Sequence, residues 1–495
     1  QQPAASAFNP ATGKPVPATE GTIDLRVDSL IWNARQAKNA RVLLATVGSV
    51  TTIKEAKISL PGNGAVSLTG SFDSSRQPLA MTGVLDAKAD NVREVLQWVG
   101  VNVAEVPSDR LRSFNLRGEF SGNPQQVTIN RLRATLDGAT VDGAATIQMG
   151  QRTGIGARVS LDRINLDAYR GKPVKKTAGK PTALTGGATQ QTAATGAPSG
   201  TAGAWYDTVD ANVLATAQAV TVGGQTAQGI DLNVTLQNGK LTLNTGRIND
   251  IAGAAVNVTR YSAAMANPLA FSLESFDLRV PDPSRTFRAL GRELPAGSKP
   301  GPIQATGRAQ GENNAVNLDT RINAFGGATS IVGVIREPSG TDPKADIKFN
   351  ADFPQAAPIF AILAPGMLPQ ETLAQIRDLK GEGTVAGSYK ALDIDLSFVG
   401  NGVGGFRAKG KLTDLGTDKA GVDMGMSARD FRVQLFAPLL ENRIPDAALK
   451  VADTLNGSLI AKGPLAGPQL DIDLAFAGCY SYKLILRRFC YYSES

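Results

Sequence analysis

Two acidic pairs are the first candidates for chemistry. Residues 392–400 read LDIDLSFVG, and residues 470–478 repeat the pattern as LDIDLAFAG. Asp393 and Asp395 stand two apart, as do Asp471 and Asp473. In a strand such residues share a face, so each pair would hold its carboxylates about 7 Å apart, within reach of glycoside hydrolysis. A general acid, however, needs one carboxyl desolvated so that it keeps its proton near neutral pH. Here the acids fall on the polar side of their strands, with no metal-ligand cluster beside them. The sequence contains no His, which removes the commonest general base and the commonest metal ligand together. Ser–His–Asp catalysis, Cys–His catalysis and His-built zinc sites are excluded. GVGGFRAKG at 402–410 matches neither a dinucleotide fingerprint nor a phosphate loop. No catalytic residue, metal site or cofactor is expected, and the duplicated pairs read as the solvated outer faces of two equivalent strands.

The strands that carry those acids belong to a repeating pattern. VTINRLRATLDGATVDGAATI at 127–147 alternates apolar and polar residues, changes phase at Arg131 and turns at Asp137-Gly138. That predicts short antiparallel strands. DLNVTLQNGKLTLNTGRI at 231–248 predicts a hairpin at Asn238-Gly239. Helical stretches are few: 91–100, 283–294, 369–379 and 431–455. Each leads into a Gly-marked strand, LRGEFSG, ATGRAQG, GEGTVAG or LNGSLIAKG. The two LDIDL strands begin 78 residues apart (470 − 392), and the spacing elsewhere is unequal, which fits a sheet grown by accretion and not a propeller of equal blades.

At 495 residues the chain is too long for one ordinary core. Residues 1–20 form a Pro/Ala-rich linker. Residues 171–204 form a second, low-complexity linker whose Lys172, Lys175, Lys176 and Lys180 read as a solvated tether. Between and after them lie two β regions, 21–170 and 205–478. The tail at 479–495 holds Cys479, Cys490 and four of the 8 Tyr, and it breaks the pattern as a frameshift or truncation would. No apolar run approaches the ~20 residues that span a bilayer. A body without Cys suits an oxidising compartment. The net charge of +7 permits a phospholipid surface as partner. Lys and Arg are scattered singly among acids, so nucleic acid is not expected.

Three stretches together resemble the AsmA family of bacterial envelope proteins. VSLDRINLDAYRG at 159–171 ends in a Leu-Asp-Ala-Tyr signature before the low-complexity linker. WYDTVDANVLATAQAVTVGGQTAQGIDLNVTLQNGKLTLNTGRI at 205–248 resembles the family's restart after it. The third is the pairing of Gly-marked strands with LDIDL strands. The resemblance spans about residues 21–478, and it implies a long β trough held in the inner membrane by an N-terminal helix and projecting into the periplasm. It also implies phospholipid movement toward the outer membrane, outer-membrane assembly proteins as partners, and no catalytic residues. The chain departs from the family in lacking that anchor, expected upstream in a longer protein, and in its tail.

The expected fold is therefore mainly β: an elongated, twisted antiparallel sheet forming a partly open hydrophobic trough, with short helices along one rim. There are too few helices to cover the apolar face of so many strands. That face must pair with another sheet, close on itself, or hold something greasy. Ile394, Leu396 and Phe398, with Ile472, Leu474 and Phe476, are expected to line a groove for acyl chains, joined by Val127, Ile129, Leu241 and Leu243.

Overall fold

The computed structural model describes residues 20–33, 35–170, 205–291, 293–294, 300–363, 370–432, 454–476 and 481–486. The chain divides into two compact units, Gln1–Gly239 and Lys240–Ser495. Each is mainly β, an open, twisted sheet with few short helices.

The first unit contains β1 (Glu20–Trp32), β2 (Arg35–Val47), β3 (Val50–Leu60), β4 (Gly64–Asp73), β5 (Ala80–Ala89), β6 (Phe114–Asn123), β7 (Gln126–Leu136), β8 (Ala139–Gln148), β9 (Thr153–Asn165), β10 (Val209–Val222) and β11 (Gln225–Gln237). Each strand pairs with the next, antiparallel except at one place. β9 and β10 run parallel, Val209 beside Thr153 and Thr221 beside Asn165. This departs from the antiparallel expectation, and it follows from the long connection, since only a hairpin forces the chain to reverse. The strands on either side of 171–204 thus belong to one sheet. The linker itself lies outside the described residues, as do residues 1–19.

The phase change at Arg131 does not end a strand, contrary to the sequence reading. β7 is continuous, and its register slips between Ile129 and Leu132. One extra residue is absorbed there as a bulge, which returns Leu132, Ala134 and Leu136 to the face that holds Val127 and Ile129. Asp137 (φ 51) and Gly138 (φ 92) then both take the left-handed conformation that a tight two-residue hairpin requires.

The second unit contains β12 (Lys240–Ile251), β13 (Ala254–Ala264), β14 (Asn267–Val280), β15 (Ile303–Glu312), β16 (Ala315–Ala324), β17 (Gly327–Arg336), β18 (Lys344–Gln355), β19 (Arg377–Ser388), β20 (Ala391–Asn401), β21 (Gly404–Thr413), β22 (Gly421–Phe431), β23 (Leu455–Pro464), β24 (Gln469–Phe476) and β25 (Ser481–Leu486). All neighbours pair antiparallel. The tail therefore continues the ladder for one strand: Asp471 to Leu474 face residues 485 to 482 of β25. Cys479 and Cys490 lie outside the described residues.

The α-helices interrupt the strands at one rim of each sheet, while a 3-10 turn, Trp205–Asp207, precedes β10 at the opposite end of the first. In the first unit α1 (Val92–Trp98) follows β5, and a 3-10 turn, Leu166–Tyr169, follows β9. β5 and β9 run the same way, so both excursions leave from the same end. In the second unit α2 (Pro283–Ala289) follows β14, and α3 (Ala357–Leu363) and α4 (Gln370–Gln375) follow β18, again at one end. Asp282 caps α2 by accepting from Ser284 N, and Pro283 takes the first helical position. Gly291 (φ 71) ends that segment short of the expected Leu294. The stretch expected to be helical to 379 becomes strand from Arg377, and α3 was not foreseen. The expected helix at 431–455 falls mostly outside the described residues.

The dry core sits at these rims. Among the described residues, the buried apolar side chains larger than alanine include Val92, Val103, Leu236, Val280, Leu373 and Ile376. All but Leu236 belong to the helical excursions or adjoin them. The clearest cluster gathers Ala356, Leu373 and Ile376, with Phe360, Leu379 and Val403 packed against it.

Candidate functional site

Register decides which side chains share a face, because directly opposed residues in a sheet point the same way. Leu243 faces Tyr261, then Leu273, Ala309 and Leu318 in turn. The same row continues through Gly333, Ile347 and Val385 to Ile394. Beyond it come Gly410, Met424, Ala461 and Leu470. No member is charged. The next row passes through Phe349, Gly383, Leu396, Ala408, Met426 and Leu459 to position 472. A third joins Phe398 to Phe406, Ala428, Gly457 and position 474. Leu241, Leu243, Ile394, Leu396 and Phe398 therefore lie on one apolar face, and the backbone register puts positions 472 and 474 on it as well. Phe476 closes β24 opposite Leu455, which faces Phe431. Leu241, Leu243, Ile394, Leu396 and Phe398 are only half-buried. That is short of the burial of a packed core.

In the first unit Ile129 belongs to a comparable row. It faces Phe120, then Gly83, Gly70, Ile53, Leu44 and finally Ile23. Val127 lies in the neighbouring row, between Gly122 and Ile147. Exposure rises toward the first strand, where Ile23, Leu25 and Val27 are 53%, 59% and 50% exposed.

The opposite face of the second unit holds the duplicated acids. Asp395 accepts from Arg407 Nε at 3.1 Å and Nη2 at 2.9 Å, with Lys409 Nζ at 3.2 Å. Asp393 pairs with Lys411 at 3.4 Å, and Asp423 with Lys462 at 3.6 Å. The hydrogen bond from Arg407 holds the Asp395 carboxyl below the usual carboxylate range. A general acid needs the reverse shift. Asp471 and Asp473 are exposed on the equivalent face of β24. Asp393, Asp395 and Asp423 thus form rungs of cross-strand ion pairs that keep one face wet. A depression of about 1020 Å³ opens there, lined by Asp393, Asp395, Lys409, Lys411 and Asp423 among others. Its lining mixes these ion-paired charges and Lys419 with Ile394, Val422 and several glycines, and the paired charges suit water better than an apolar ligand. Among the described residues no group of His, Cys, Asp and Glu is arranged to hold a metal ion.

The Leu-Asp-Ala-Tyr stretch is a corner lock. The Asn165 side-chain oxygen Oδ1 accepts from the backbone N–H groups of Asp167 and Ala168. The Asp167 carboxylate accepts from Gly223 N and Gly224 N at 2.8 Å each, pinning the β10–β11 turn. Tyr169 donates its hydroxyl to Asp137 at 3.0 Å, and Asp137 also accepts from Leu111 N and Arg112 N. Burial, together with the Asp137 carboxylate, pushes the Tyr169 phenol up to about 12. At the other end of β9, Arg152 pairs with Asp210 at 2.7 Å and also bonds to backbone oxygens of Tyr206, Asp207 and Val209. The parallel β9–β10 junction is thus fastened at both ends.

The sequence reading missed the partners of its own glycine pattern. In β15 and β19, glycines on the apolar face stand opposite Phe residues of the neighbouring strand: Gly307 opposite Phe276, Gly311 opposite Phe271, Gly381 opposite Phe398. Gly-x-Gly strands set beside Phe-bearing strands were the available signal.

No family model, curated protein or solved structure matches this chain.

Proposed function

We propose that the protein is a non-enzymatic, AsmA-like envelope protein that shelters phospholipid acyl chains against the apolar faces of its sheets. It works in the periplasm, held to the inner membrane in the full-length protein, and serves lipid movement between the inner and outer membranes and outer-membrane assembly. One observation carries this reading: rows of uncharged, mostly apolar residues run uninterrupted across many strands, and among the described residues their large side chains remain only half-buried, whereas the buried cluster of large apolar side chains lies at the helical rim. A face of this kind left to water alone would be a liability. An acyl chain laid along it recovers about 0.8 kcal/mol per methylene removed from water. Roughly ten carbons of each tail would then offset most of the cost of leaving a bilayer. The ion-paired opposite face keeps such a sheet soluble on its other side.

The test is native mass spectrometry of protein purified without detergent, on the wild type and on Ile394→Asp. Wild type carries phospholipid, and the variant loses it while its thermal unfolding stays close to that of the wild type. An empty wild type, or a variant that unfolds outright, overturns the reading, because the face would then be either unused or a dry core.

A second reading, a scaffold for outer-membrane β-barrel proteins, is favoured by β1 alone. All thirteen of its residues are exposed, and among the described residues β1 pairs only with β2; a free edge of that length can accept another strand. Clean protein that captures unfolded barrel strands would support this reading over lipid carriage.

A further inference from the structure

The glycines of β19 have a consequence for what can lie on the apolar face. Facing side chains in an antiparallel pair have Cβ atoms about 5 Å apart, so a ring can bend across its neighbour only where that neighbour has no Cβ. A methyl carbon placed on Gly381 would stand 2.6 Å from Cε1 and 2.7 Å from Cδ1 of Phe398. On Gly383 it would stand 2.7 Å from Leu396 Cδ2 and 3.0 Å from Phe349 Cε1. Phe349 belongs to β18 and Phe398 to β20, on either side of β19. Their ring centroids are nevertheless only 6.5 Å apart, with planes tilted by 39°. Strands two positions apart in a sheet are separated by about 9.5 Å. Both rings therefore lean inward and lie down over the glycine strand. The same device recurs: a carbon on Gly307 would meet the Phe276 ring at 2.9 Å, and one on Gly83 the Phe120 ring at 2.5 Å.

We propose that Gly381 and Gly383 are positioning residues, which hold the Phe349 and Phe398 rings flat so that the apolar face above β19 stays open to phospholipid acyl chains. This inference rests on the lipid-sheltering reading. A side chain at 381 lifts the Phe398 ring off the sheet, and the raised ring occupies the space of a tail. Gly381 is the cleanest place to test this, because the three atoms nearest to its added carbon all belong to the Phe398 ring. Gly425 lies on the polar face of β22 and meets nothing closer than 3.8 Å, so Gly425→Ala is the matched control.

The experiment measures phospholipid bound per protein after detergent-free purification, alongside the melting temperature. Gly381→Ala should lose bound lipid roughly tenfold, the equivalent of about two methylene contacts, and Gly425→Ala should lose none. Phe398→Ala removes one lining side chain and is the reference for the double variant: adding Gly381→Ala to it should cost no further lipid, since no ring is left to raise. A further loss in the double variant would overturn the proposal even if Gly381→Ala alone failed to fold, and so would full lipid in a folded Gly381→Ala. In both cases a loaded wild type leaves the lipid-sheltering reading standing, whereas an empty wild type removes both.

Discussion

Ile376 and Ile394 belong to the same unit and differ in what covers them. Ile376, between α4 and β19, is 1% exposed and packs with Ala356 and Leu373. Ile394, in mid-strand, is half-buried and flanked in its row by Val385 and Gly410. The residue type is identical, so hydrophobicity does not explain the contrast. The rim has a helical excursion to fold over it, and mid-strand has only neighbours in its own layer. A one-layer sheet can cover a side chain edgewise but not from above, and the fold supplies a second layer only where the chain leaves the sheet.

Alanine substitution tests this contrast most directly. Ile376→Ala should cost roughly 3 kcal/mol, because it leaves a cavity in a closed cluster. Ile394→Ala should cost only about 1 kcal/mol, since its side chain is already partly in contact with solvent and no closed cavity is left behind. Chemical denaturation of both variants measures the difference, and equal losses would mean that the apolar face is as dry as the rim. A smaller effect is expected on the opposite face. Asp395→Asn removes a carboxylate that holds two cations at an exposed site, where ion pairs are screened and weak. Its melting temperature and lipid content should stay near those of the wild type, and a pronounced loss of either would give the duplicated acids a role that the ion-pair geometry does not.

The smallest effect concerns acid. The Arg152 guanidinium, helped by Asn238 N, holds the Asp210 carboxyl at about 2 against an ordinary 3.8. A depressed carboxyl stabilises the folded state above its unfolded value, and that contribution fades as pH falls from 3.8 through about 2. The first unit should therefore lose a little stability over that window in an acid titration followed by circular dichroism, and Asp210→Asn should flatten that part of the curve. Tyr169 carries the opposite sign: its phenol is raised from 10.0 to about 12, so its contribution is complete below pH 10 and disappears as pH rises through 12.

Much of this was legible in the residues themselves. Alternation placed Ile394, Leu396 and Phe398 opposite Asp393 and Asp395, because side chains in a strand must alternate between faces. Asp137-Gly138 announced its turn, since its geometry needs two left-handed residues. The absence of His removed whole classes of chemistry before any fold was considered. The bulge in β7 was visible as a phase change, but whether it ended the strand depended on Phe120 and Gly118 across the ladder, which sequence spacing does not specify.

Local pattern determined which side of each strand is greasy, because that depends only on the two-residue period of the backbone. The tertiary structure decided the rest. It set Leu243 in one row with Ile394, 151 positions later by subtraction (394 − 243), paired Asp395 with Arg407 and Lys409, laid β9 parallel to β10, and folded Phe398 over Gly381. Each of these depends on register between strands, a property of pairs that no single strand carries.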